Sequence, residues 1–323
     1  MPDHSFNRRA KRRFRLDDDG DDGKLPFAAH DDDEPVFAKR ERQRRLPAPD
    51  AFDATDGLPE GARWSSWDQP AASERGPRPY PAWLVTELAA VDTELGILKT
   101  GKEADVFLVR RGVPGTGRSC LLAAKRYRAA EHKMFHRDSA YLEGRRVRQS
   151  RTARAMARRT SVGREMISTR WAGAEFAALC QLHAVGAPVP YPVQVIGTEM
   201  LIEFIGEPDG TAAPRLAETR PRGGELADLW DQLVRGLVTL ARLGLAHGDM
   251  SAYNLLVHRG RLVMIDLPQV VDVIANPGGS GFLDRDAANV AKWFTARGLA
   301  GGLASSVPGP EDLAALLRRE AGV

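Results

Sequence analysis

From Pro81 onward the apolar residues fall into runs whose spacing separates strands from helices, whereas the first 80 or so residues show no period. "PAWLVTELAAVDTELGILKTGKEADVFLVRR" predicts a short entry element and then two strands that turn around Thr100 to Asp105. "SCLLAAKRYR" predicts a further strand, with Lys125 near its end. In "RWAGAEFAALCQLHAVGAPVP" Phe176, Leu179, Leu182 and His183 share a helical face, and Gly186 with Pro188 stops the helix. "PVQVIGTEMLIEFIG" reads as two strands about a Gly197-Thr198 turn. A Gly/Pro/Arg linker precedes "ELADLWDQLVRGLVTLARLGLAHGD", where Leu226, Leu229, Leu233, Leu237 and Leu240 keep helical spacing up to Gly244. "NLLVHRGRLVMID" predicts a hairpin with Arg259-Gly260 at its tip, and helices follow around Asp284 to Arg297 and Glu311 to Arg319. There is no internal repeat.

Two segments break this order. In residues 1–80 the basic block of "RRAKRRFRLDDDGDDG" is followed by an acidic one, and "HDDDEPVFAKRERQRR" reverses the contrast before a stretch rich in Pro and Gly. With so few aliphatic residues this part cannot offset its ordering entropy, which predicts a disordered charged tail. The second is Arg137 to Arg170, with ten arginines against three acidic residues and no apolar period, which predicts a flexible loop. Both segments offer arginines to RNA, or simply to neighbouring acids and water; a net charge of +3 does not announce a nucleic-acid binder.

The remaining composition narrows the class. Hydrophobic residues make up 43% of 323, enough for a sizeable core. Cys120 and Cys180 both lie in apolar surroundings and read as free thiols of a reducing compartment. No apolar run approaches the ~18 residues of a membrane span, and the charged N-terminus is no signal peptide. The expectation is a cytoplasmic protein with no membrane partner.

The chemistry concentrates in "HGDMSAYNLLVHRGRLVMIDLPQ", His247 to Gln269. A hairpin returns its far end beside its start, so Asp249 and Asn254 before it come to face Asp266 after it. Two carboxylates and an amide oxygen form a hard-oxygen set that suits Mg²⁺ rather than zinc. A metal beside an additional free carboxylate is what phosphoryl transfer requires, the metal neutralising phosphate charge while the free acid orients the attacking oxygen. Turn aspartates that merely cap helices and hairpins are the bland alternative.

The form H-x-D-x-x-x-x-N followed by a distant Asp resembles the catalytic loop of the protein-kinase-like superfamily. Within it the chain most resembles the RIO family of atypical serine/threonine protein kinases. "LKTGKEADVFLV", "AAKRYR", "WAGAEF", "MLIEFIG", "HGDMSAYNLLV" and "MIDLPQ" carry the likeness, in family order, over roughly Trp83 to Trp293. The resemblance implies a two-lobed α+β kinase-like fold, with an N-lobe over 81–206 that includes the Arg-rich loop and a reduced C-lobe over 207–323. It implies ATP as substrate and Mg²⁺, or Mn²⁺, as the metal.

Residue by residue, the resemblance gives Lys125 the ATP phosphates and a partner in Glu175; a partly buried ammonium at the end of an apolar strand needs such an anion. "TGKEADV" is placed over the triphosphate. Only Gly101 remains where ordinary kinases have a glycine-rich cradle, so contacts from Thr100 and Lys102 are the natural substitutes. Glu103 either assists there or balances Lys102. "MLIEFIG" becomes the hinge, with Ile202 behind the adenine, main-chain groups of Glu203 and Ile205 reading the base edge, and Met200 and Leu201 in the core. Asp249 orients the acceptor hydroxyl and takes its proton, while Asn254 and Asp266 hold the metal. His247 is expected to be structural. Ser251 stands where ordinary kinase loops have a basic residue, and Tyr253 lies in the same loop. Leu-Pro-Gln follows Asp266, and the 57 residues after it contain no A-P-E. These features predict no activation segment and little room for a peptide platform.

Four functions compete at this stage. A Mg-ATP serine/threonine kinase would phosphorylate itself in the Arg-rich loop, at Ser150, Thr152, Thr160 or Ser161, where arginines pair with the new phosphate. An ATPase switch in small-ribosomal-subunit maturation, as the family resemblance implies, would pass through phospho-Asp266 and bind rRNA through the Arg-rich segments. A small-molecule kinase of aminoglycoside or choline type shares the motif plan but not "IDLPQ" or the short end. A scaffold without catalysis leaves Lys125, Asp249, Asn254 and Asp266 unexplained.

Overall fold

The computed structural model describes residue 58 and residues 61–128, 161–267, 270–299 and 308–323. The charged blocks of 1–57, the arginines of 129–160 with Ser150, Thr152 and Thr160, and Pro268-Gln269 of "IDLPQ" lie outside the described residues.

The fold is a two-lobed α+β structure built on one antiparallel six-stranded sheet. Its strands are β1 (Ala62–Trp64), β2 (Val91–Thr100), β3 (Ala104–Gly112), β4 (Ser119–Tyr127), β5 (Pro192–Ile196) and β6 (Glu199–Glu203), in the order β1-β2-β3-β4-β6-β5. Tight turns explain the neighbours: Gly101 closes β2–β3 by donating its N–H to Ala104, and Gly197, at φ 56°, turns β5 into β6. The sheet is strongly curled, since Arg63 on β1 reaches Glu199 on β6 and Arg111 on β3 reaches Gln194 on β5.

Strand alternation sorts β4 into two faces. Leu122 and Ala124 enter an outer core with Trp67, Leu84, Val85, Val109, Tyr191, Val193 and Leu201. Lys125 and Tyr127 face the other way, toward α1 (Ser161–Ala184), whose Ala172, Phe176, Leu179 and Leu182 belong to a second, larger core. That core continues without interruption into α2 (Gly223–Arg242), α3 (Gly279–Thr295) and α4 (Leu313–Ala321). The C-lobe adds the β7/β10 pair (Leu245–Ala246 with Val271–Asp272) and the β8–β9 hairpin (Leu255–His258 with Arg261–Met264). Arg259 and Gly260 at its tip both have positive φ, 52° and 75°, the conformation of a two-residue hairpin turn. Among the described residues no helix is long and apolar enough to cross a membrane. Both cysteines are free, Cys120 buried and Cys180 partly so.

Two boundaries read from the sequence need correction. Disorder was expected up to residue 80, yet residues 61–80 are placed, with β1 near their start. The segment 61–76 runs as a strap across the curled sheet, pairing with β2 at one end and, through Arg75 against Gln194, with β5 at the other. Sparse but large anchors hold it: Trp67 is buried, Gln194 binds Ser66, and Gly76 donates to Val193. Composition undercounts such a segment because one large buried ring and a polar network replace the missing aliphatics. The Arg-rich loop expected over 137–170 is likewise interrupted, since residues from Ser161 are helical. The buried stripe of α1 runs through Ser168, Ala172, Glu175 and Leu179, and its polar members hid the apolar period.

Candidate active site

Lys125 anchors the site. Its side chain leaves the inner face of β4, is about one-tenth exposed, and lies 2.8 Å from Glu175 and 2.7 Å from Asp266 Oδ1. Burial alone would pull this ammonium's pKa down; the Glu175 and Asp266 carboxylates outweigh it and push it up to about 12. Lys125 is therefore charged at every physiological pH.

Glu175 occupies a helical position inside the buried stripe of α1 and satisfies three donors. They are Lys125 Nζ, the N–H of Leu267 at 3.0 Å, and the Tyr127 hydroxyl, whose pKa is raised by burial and then by the adjoining carboxylate. One carboxylate thus ties strand β4 to the backbone immediately after Asp266. Asp266 itself has φ 66°, a left-handed conformation that aspartate tolerates better than most residues. Burial pushes its pKa up, but Lys125 outweighs that and holds the carboxyl below its usual range, so it stays ionised.

The hairpin does what its spacing implied. Ile265 donates to the Asn254 carbonyl at 2.9 Å, placing Asp266 at the exit of β9 directly beside the Asn254 turn. Asn254 is buried and donates Nδ2 to the Asp249 carbonyl at 2.8 Å, which turns its amide oxygen away from that carbonyl. Asp249 stays exposed, and its charge is felt by Lys99 and Glu103 across the cleft. Asp266, Asn254 and Asp249 offer carboxylate and amide oxygens, and among the described residues no group of three or more His, Cys, Asp or Glu could hold a metal by itself. That donor set fits Mg²⁺ or Mn²⁺, which keep waters and accept substrate phosphates as further ligands.

The sequence overlooked Asp286. From α3, buried to 2% exposure, it accepts the N–H of Gly248 and of Met250, each at 2.9 Å, and so fixes the backbone on both sides of Asp249. Burial pushes its pKa up despite these donors. The signal was available: Leu283, Asp286, Ala287, Val290 and Phe294 form one helical stripe, and an acid inside a buried stripe demands partners. Asn289 adds a bond to the Met250 carbonyl, and His247, fully buried, contacts the Ile265 carbonyl at 3.2 Å, a structural place.

The other residues named from the sequence are not all brought to the acids. Thr100 is exposed, and its hydroxyl is taken by Asp105, itself bound to Arg128. Among the described residues Lys102 makes no ion pair with the site carboxylates. Besides Lys125, the lysine that approaches Asp266 is Lys99, 3.9 Å from Oδ2. Gly101 has a plain role: a Cβ there would stand 2.8 Å from the Ala104 carbonyl. Burial raises the pKa of Glu103, with the charge of Asp266 the next cause. In the connection after β6, Glu203 commits its N–H to Tyr191 and its side chain to the Tyr191 N–H, while the Ile205 carbonyl accepts from Ala213.

This constellation sits inside a region recognisable from known proteins: residues 119–305 match the model of the RIO domain. The chain belongs to the RIO family. The match spans Lys125, Glu175, Asp249, Asn254 and Asp266, and begins after the Thr100–Lys102 turn. RIO relatives include the RIO-type serine/threonine-protein kinase Rio1 of Haloferax volcanii, 35% identical over 211 residues, 64% of this chain and 65% of that protein. The serine/threonine-protein kinase RIO1 of Chaetomium thermophilum is 32% identical over 213 residues, 63% of this chain and 40% of its own length. The protein of that name in Caenorhabditis elegans is 33% identical over 205 residues, 63% and 37%. The chain therefore spans just under two thirds of the archaeal RIO relative and about two fifths of the eukaryotic ones.

Proposed function

We propose that the chain is a Mg-ATP-dependent serine/threonine phosphotransferase of the RIO type, able to phosphorylate itself. The observation that carries this reading is Lys125 held between Glu175 and Asp266, with Asp249 and Asn254 on the adjoining loop.

In this reading the nucleotide lies between the inner face of the sheet and the β8–β9 hairpin. The Glu203 carbonyl and the Ile205 N–H are the complementary main-chain groups that read the purine edge. Lys125 holds non-transferred phosphates, oriented by Glu175. Asn254 and Asp266 would hold Mg²⁺, which supplies charge neutralisation on the phosphates. Asp249, steadied by Asp286 through the backbone, accepts the proton of a serine or threonine hydroxyl as its oxygen bonds the γ-phosphorus, the bond to the β,γ-bridging oxygen breaks and ADP leaves. Arginines outside the described residues supply contacts to rRNA or the small ribosomal subunit, and the working compartment is the cytoplasm.

The test follows γ-labelled phosphate from Mg·ATP with the purified chain, alone and with small ribosomal subunits. Acid-stable label on protein, lost in Asp249→Asn, is the expected result. Free phosphate, with a hydroxylamine-labile trace on the chain that disappears in Asp266→Asn, would instead assign an ATPase that passes through an acyl phosphate. Lys125→Met and Asp266→Ala should each reduce transfer by about a hundredfold or more, the scale of losing a preorganised charge at a reacting phosphate; near-normal turnover in either would overturn the site assignment.

A further inference from the structure

One cation at this site has no task in the mechanism above. Lys99 lies near the end of β2, immediately after a register shift between Ile97 and Lys99. Such a bulge re-aims the side chains that follow it. The ammonium of Lys99 approaches Asp266 Oδ2 at 3.9 Å, while Lys125 bonds Oδ1 at 2.7 Å, so the carboxylate sits between two lysines. The two are differently satisfied. Lys125 has two carboxylates at hydrogen-bonding distance; Lys99 has one, beyond it.

A third cation makes the imbalance worse. Arg215 is fixed by its bond to the Tyr253 carbonyl at 2.8 Å, inside the loop that carries Asp249 and Asn254. The Lys99 side chain is 43% exposed, open to a ligand. A metal held by Asp266 would take up that carboxylate's charge and leave Lys99 in need of another anion, which a terminal phosphate would supply.

We propose that Lys99, backed by Arg215, contacts the terminal phosphate oxygens of a bound nucleoside triphosphate and makes the cleft distinguish triphosphate from diphosphate. The proposal rests on the nucleotide-cleft reading above and adds a specificity residue to it. Lys125 holds the inner phosphates from the floor of the sheet, and Lys99 takes the outermost one from the strand above. Once that phosphate has left, Asp266 is again the partner of Lys99.

The test compares the affinity of the full chain for Mg·ADP and for Mg with the non-hydrolysable β,γ-imido analogue of ATP, by titration calorimetry. Lys99→Met is expected to weaken the imido triphosphate about tenfold and ADP less than about twofold, the scale of one charge-assisted contact. Lys99→Arg should stay within about threefold of the parent for both, since it keeps the charge. Equal weakening of both nucleotides, or of neither, would overturn the proposal, as would a parallel loss with a melting temperature many degrees lower. If the parent binds neither nucleotide, the cleft reading itself fails. If the parent binds both and Lys99→Met binds them equally well, only the role of Lys99 falls.

Discussion

Single residues decide whether the loop around Asp249 is rigid. Asp286 is the clearest case, because a buried carboxylate accepting two main-chain N–H groups leaves both orphaned if it is removed. Asp286→Asn keeps the shape but replaces one accepting oxygen by an NH₂ group facing a donor. It should cost about 1–3 kcal/mol of stability, the penalty for an unsatisfied buried donor. It should also lower kcat far more than it changes the affinity for Mg·ATP, because Lys125 and Asp266 are untouched. Steady-state kinetics with a parallel thermal melt checks this, and equal effects on kcat and affinity would show that Asp286 supports the whole cleft. Tyr127→Phe tests the other anchor. Glu175 would lose one of three donors while Lys125 and Leu267 keep theirs. The expected result is weaker nucleotide binding by a few-fold, with folding intact.

At the scale of elements the strap before β2 carries the most testable consequence. Removing residues 1–57 takes away nothing among the described strands and should leave the melting temperature within a degree or two. Removing 1–76 strips β1, Trp67 and the Gln194 contacts, and should lower the melting temperature by many degrees, since one large buried ring alone is worth about 3 kcal/mol or more. Gly76→Ala makes the same point without truncation. An added Cβ would stand 1.9 Å from the Pro192 carbonyl and 2.7 Å from the Tyr191 ring, so backbone must move. A second tie is ionic: Glu199 on β6 bonds Arg126 on β4 and Arg63 on β1, and Arg126 also bonds Glu94 on β2. Burial pushes the Glu199 pKa up, but the two arginine hydrogen bonds outweigh it and hold the carboxyl below its ordinary value of 4.5. A depressed carboxyl contributes stability above its unfolded pKa and loses that contribution as pH falls through the folded one. Wild type should therefore lose melting temperature more steeply than Glu199→Gln below about pH 4.5; parallel curves would remove Glu199 from the account.

Taken whole, the two lobes share a core. Phe176, Leu179 and Leu182 of α1 belong to the same buried cluster as Leu233, Leu237, Val290 and Leu317 of the C-lobe. A continuous core couples the unfolding of the parts it joins. Scanning calorimetry should accordingly show one cooperative transition for both lobes, moved upward by Mg·ATP in proportion to the logarithm of its concentration above Kd. Two separated transitions would show that the lobes unfold independently despite the shared core.

The sequence by itself determined the periodic elements and the neighbourhood of three oxygen-bearing side chains. β4, α2 and the β8–β9 hairpin are legible because local propensity and burial point the same way, and Asp249, Asn254 and Asp266 because a two-residue turn fixes what faces what. The partnership of Lys125 with Glu175 was legible only through family resemblance, since 50 residues separate them. Tertiary structure alone decided the rest. It folded 61–76 into a strap, because Trp67 needs a core to enter and the partners of Ser66 and Gly76 are Gln194 and Val193 of β5, more than a hundred residues away. It gave Asp286 its place, because an acid in a helical stripe acquires meaning only from the N–H groups packed above it. It also brought Lys99 rather than Lys102 to Asp266, because the bulge in β2 and the curl of the sheet set the direction of a side chain, and neither is written in the spacing of the residues around it.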